Sequence, residues 1–148
     1  MYNSATQRWR NNVVFSLAVL LIGCVFPTSG HAQLIGSYTI GSGGSYATFT
    51  AAVSALTTSG VSGPVTFSVL AGTYSEMFTI GAITGASASN TITFDGGTGN
   101  VSTRILTYSV ATSYAAVITL DGADYIRFKN LTINSTNSSY GYGFLFTN

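Results

Sequence analysis

The polar–apolar pattern is clearest between Val117 and Ile133, where three short bursts of alternation follow one another: Ile118 and Leu120, then Ile126 and Phe128, then Leu131 and Ile133. Asp121-Gly122-Ala123-Asp124 separates the first two bursts, and Asn130 stands between the second and third. Period-two segments this short, punctuated by Gly, Asp and Asn, predict short strands wound into stacked coils rather than a hairpin sheet. The same period runs through Val65, Phe67 and Val69, with Thr66 and Ser68 opposite. Gly72-Thr73-Tyr74 reads as a turn, Phe78 and Ile80 as a short strand, and Asn90 to Phe94 as another, closed by Asp95-Gly96-Gly97. Phe67, Ile92 and Ile118 recur 25 and 26 residues apart, within the range of stacked repeats. Tyr140 to Asn148 predicts a last aromatic strand whose exposed core and edge would suit a chain continuing beyond it, so the sequence reads as a fragment.

One stretch has helical periodicity. Phe49, Val53 and Leu56 fall at i, i+4 and i+7 within Tyr46 to Thr58, with Ser45 as the expected N-cap and Gly60 just past the C-terminal end. Ahead of it lie a Gly/Ser-rich stretch and Tyr38-Thr39-Ile40 as a first strand. The apolar stripe of such a helix must cover something, and the exposed first coil of a strand stack is the expected partner.

The N-terminal 32 residues have a different character. Met1 to Asn12 carries Arg8 and Arg10 and no acid, Val13 to Phe26 is an apolar run of about 14 residues, and Gly30-His31-Ala32 supplies small residues. That order predicts a secretory signal over residues 1–32, cleaved after Ala32; the run is shorter than the roughly 20 residues a membrane-spanning helix needs. Cys24, in Leu21-Ile22-Gly23-Cys24, also fits a lipoprotein signal, but Val25, Phe26 and Pro27 continue the apolar run past it and ordinary cleavage is the reading adopted. It is the sole cysteine of the 148 residues, so no disulfide framework is expected. The expected domain order is thus signal at 1–32, first strand and helix at 33–62, and coils at 63–148.

Beyond the signal, Arg104, Arg127 and Lys129 face Glu76, Asp95, Asp121 and Asp124, a net charge of −1. No basic footprint for nucleic acid is present. Charged residues make up 6% of the chain, where about a quarter is usual, and Ser, Thr, Asn and Gly supply the polar surface. A secreted or cell-surface location, touching the membrane only through the export signal, follows from this composition and the leader. Without histidine or cysteine beyond the signal, a histidine-based triad or a transition-metal site has no ligands to use.

Gly63-Pro64-Val65-Thr66-Phe67-Ser68-Val69, then Ala71-Gly72-Thr73-Tyr74-Ser75-Glu76, then Asp124 to Ile133, carry a family likeness. Their order after a helix resembles the start of pectin-lyase-like right-handed parallel β-helix proteins. The segment from residue 36 to 146 resembles the large β-helix proteins exported to the surface of Gram-negative bacteria. The resemblance implies an all-β, right-handed parallel β-helix with an N-terminal capping helix. It leaves activity open, because such coils occur in lyases, hydrolases, esterases and non-catalytic adhesins alike. None of the catalytic motifs of those enzymes can be matched here, and no catalytic residue is assigned.

Candidate binding residues are therefore few. Arg127 and Lys129 alternate with Ile126 and Phe128 and are expected to project from one outer face, about 7 Å apart. With Tyr125 as a stacking ring, they are the expected contacts for an acidic glycan. Asp121 and Asp124 are of the donor type calcium prefers, but short acids in an Asp-Gly turn serve their own backbone, so no cofactor is expected. The same holds for Asp95. The leading expectation is a secreted, non-catalytic scaffold or adhesion module whose partners are an extracellular glycan or a surface protein. The alternative is the N-terminal part of a polysaccharide lyase, hydrolase or esterase.

Overall fold

The computed structural model describes residues 31–99, 101–112, 115–139 and 141–148. The expected export signal up to Gly30, and Tyr140 of the expected last aromatic strand, lie outside the described residues. No helix among the described residues is long and apolar enough to cross a membrane.

The described chain is mostly β-structure in parallel sheets. The strands are β1 (Leu34–Ile40), β2 (Val61–Val69), β3 (Gly72–Ser75), β4 (Phe78–Gly81), β5 (Ile92–Asp95), β6 (Arg104–Tyr108), β7 (Ile118–Asp121), β8 (Ile126–Lys129), β9 (Thr132–Ser135) and β10 (Phe144–Thr147). One helix, α1 (Phe49–Ser59), separates β1 from β2. Three sheets form, with orders β1-β2-β5-β8, β3-β6-β9 and β10-β7-β4. From β2 onward the chain visits the three sheets in turn, and every strand pair is parallel.

Alternation explains why these segments are strands. In β2 the odd positions from Val61 to Val69 are buried and the positions between them are not. The inward row of the four-stranded sheet is aromatic. Phe67 stacks on Phe94 at 5.0 Å and Phe94 on Phe128 at 5.0 Å, while Tyr38 lies 5.7 Å from Phe67. Facing rows supply Phe78, Ile118 and Phe144, and Tyr74, Leu106 and Ile133. Register carries each apolar residue onto the one above it, and the core is continuous through the stack.

Three expectations are corrected. Gly72-Thr73-Tyr74 is not a turn but most of β3, which finds a ladder partner in β6, a strand that the apolar pattern around Ile105 does not announce. The helix starts later than Tyr46: Thr48, extended at φ −139°, is the N-cap, its hydroxyl accepting from Ala51 N at 3.0 Å. Ser45 instead bonds Thr39, whose hydroxyl accepts from Ser45 N at 2.8 Å, and Tyr46 joins Ile40 as a bridge residue. Lastly, Phe67, Ile92 and Ile118 are not equivalent. Phe67 pairs with Phe94, Ile92 with Val65, and Ile118 belongs to another sheet beside Phe78. Connections of unequal length hide the true register from a fixed-period search.

Glu76 ties the helix to the sheets. Its carboxylate accepts from Phe49 N at 3.1 Å, Thr50 N at 2.8 Å and the Thr50 hydroxyl at 2.7 Å. It thereby satisfies donors that the first helical turn leaves unpaired, and its negative charge sits at the positive end of the helix dipole. Glu76 is thus a long-range cap of α1. Tyr74, two residues earlier, has its hydroxyl 2.9 Å from the Leu70 carbonyl and 3.2 Å from that of Ile40, and burial followed by the nearby Glu76 carboxylate pushes that hydroxyl's pKa up. Glu76→Gln removes the charge and one acceptor oxygen while keeping the shape. It is expected to cost about 1–3 kcal/mol, read as a lower denaturant midpoint with an unchanged slope.

Candidate functional site

Residues of the four-stranded sheet that do not point into the core form two outer rows. Ser37, Thr66, Thr93 and Arg127 are in register across β1, β2, β5 and β8, as are Thr39, Ser68, Asp95 and Lys129. The pleat puts both rows on the side opposite Tyr38, Phe67, Phe94 and Phe128. The face is therefore a field of hydroxyls over three strands, interrupted by the Asp95 carboxylate on β5, that turns cationic on the fourth. Arg127 and Lys129 are both exposed, as the alternation with Ile126 and Phe128 predicts.

The two cations differ in their surroundings. Lys129 Nζ lies 3.2 Å from Asp95 Oδ2, its register partner on β5. An exposed pair of this kind adds little stability, yet it cancels the Lys129 charge locally. Arg127 stands beside Thr93 in the ladder, and among the described residues its guanidinium has no ion-pair or hydrogen-bond partner. A free guanidinium can hold a carboxylate or sulfate with two parallel hydrogen bonds, which an ammonium cannot.

Asp95 is more engaged than a simple turn residue. Its Oδ1 accepts from Gly97 N at 2.8 Å, the expected local turn bond, and also from Asn130 Nδ2 at 2.7 Å. Asn130 holds φ 54°, the left-handed region that asparagine tolerates better than most residues, and so turns the chain between β8 and β9 with its amide on Asp95. The Asn130 hydrogen bond above all, then the Gly97 N–H and Lys129, hold the Asp95 carboxyl below the usual carboxylate range. Asp95 thus contributes stability above the unfolded-state pKa of about 3.9, and that stability is lost as pH falls through the lower folded value. Asp95→Asn is expected to make thermal stability fall less steeply between roughly pH 5 and pH 2 than in the wild type.

Tyr125 is 49% exposed at the start of β8, with φ 60°. That conformation is strained for a bulky residue and breaks the pleat before Ile126. Tyr125 therefore does not extend the Arg127–Lys129 face by simple alternation, although its carbonyl accepts from Ile92 N at 3.0 Å and fixes where β8 begins. Asp121 accepts from the Thr147 hydroxyl at 2.9 Å, Gly122 makes the turn at φ 63°, and Asp124 is exposed. No group of three or more His, Cys, Asp or Glu that could hold a metal ion occurs among the described residues. Asp95 and Asn130 are the residues whose joint role sequence reading missed. The available signal was local only: each closes or follows a short alternating strand, and their proximity comes from the β5–β8 register.

No family model, curated protein or solved structure matches the chain.

Proposed function

We propose that this chain is part of an exported, right-handed parallel β-helix scaffold of the pectin-lyase-like kind, with α1 as its N-terminal cap. Its outer four-stranded face binds an acidic glycan and carries out no catalysis. The cyclic visiting of three parallel sheets and the packing of Phe49 against Phe78 at 5.7 Å and Phe94 at 5.9 Å support the architecture. The observation that carries the binding role is the hydroxyl row Ser37, Thr66 and Thr93 ending on the unpaired Arg127. Sugar hydroxyls match such a row as donors and acceptors, and the guanidinium supplies the preference for an acidic unit.

The test is calorimetric titration with polygalacturonate and with a neutral glycan of equal length. The acidic chain is expected to bind better, with affinity falling as salt rises. Arg127→Ala is expected to weaken it by about 1.5–3 kcal/mol, roughly tenfold or more. Lys129→Ala, whose charge Asp95 already balances, is expected to change affinity much less. Equal affinity for the two glycans, or an Arg127→Ala variant that binds like the wild type, would sink the proposal.

A further inference from the structure

We draw no further inference here: the strongest candidate, the apolar end of the strand stack where Phe128, Ile133, Phe144 and Phe146 line an open pocket of about 370 Å³ beside the edge strands β8, β9 and β10, carries nothing because nothing in the structure shows what covers it.

Discussion

Phe94→Ala is expected to be the most destabilising simple truncation in the core. The ring is fully buried and sits between Phe67 and Phe128 at 5.0 Å each, with Phe49 of the helix at 5.9 Å. Removing a buried phenyl ring costs about 3–5 kcal/mol, because the lost transfer energy is joined by a cavity that the surroundings fill only in part. Stacked pairs add about 0.5–1.5 kcal/mol beyond area. Against a total stability of about 5–15 kcal/mol, such a loss leaves much of the protein unfolded at moderate temperature. Phe146 supplies the control. It is 74% exposed, so Phe146→Ala is expected to stay within about 0.5 kcal/mol. Denaturant titration of both variants decides the matter, and equal losses would mean that the aromatic row is not the core.

The contrast between those two phenylalanines also shows what the sequence can and cannot reveal. Alternation marks Val65, Phe67 and Val69, and equally Ile118 and Leu120, because a face packed on a core must be apolar at every second position. The helical stripe of Phe49, Val53 and Leu56 is legible for the same reason, and all three are buried. Strand β3 is not legible: Gly72, Thr73 and Ser75 are exposed and carry turn chemistry, and only Tyr74 points to a buried side. Its strand character comes from pairing with β6, which is a long-range fact. Register is hidden likewise, since Ile92 pairs with Val65 on one side and Ile126 on the other across connections of different length.

The candidate site divides along the same line. That Arg127 and Lys129 face outward follows from period two alone. That Lys129 is balanced by Asp95 while Arg127 lies beside Thr93 depends on which residues the ladder places across from them. Tyr125 shows the reverse problem, for its positive φ, two residues before Arg127, is not announced by any local pattern. Local pattern assigns a side chain to a face, and only register gives it neighbours.

Gly96→Ala tests that register at its tightest point. Gly96 is buried just after β5, and its N–H donates to the Lys129 carbonyl at 2.9 Å. A Cβ here would run into the Asn130 carbonyl oxygen and come within 2.9 Å of Arg104 Cδ. Arg104 has little room to retreat, because its Nε donates to the Val69 carbonyl at 3.1 Å. The backbone at Asn130 must therefore move, which strains both the Gly96–Lys129 bond and the Asn130–Asp95 bond. Overpacking of this kind costs about 1–3 kcal/mol, and a lost hydrogen bond adds about 1 kcal/mol. Gly141→Ala, where a Cβ meets nothing within 4 Å, is expected to be near neutral. Hydrogen exchange at the Gly96 and Gly97 amides gives a local readout, since both should exchange faster in Gly96→Ala than in Gly141→Ala. Unchanged protection there would mean that β5 and β8 are not joined in this register, and with it would go both the Asp95–Lys129 pairing and the placement of Arg127 beside Thr93.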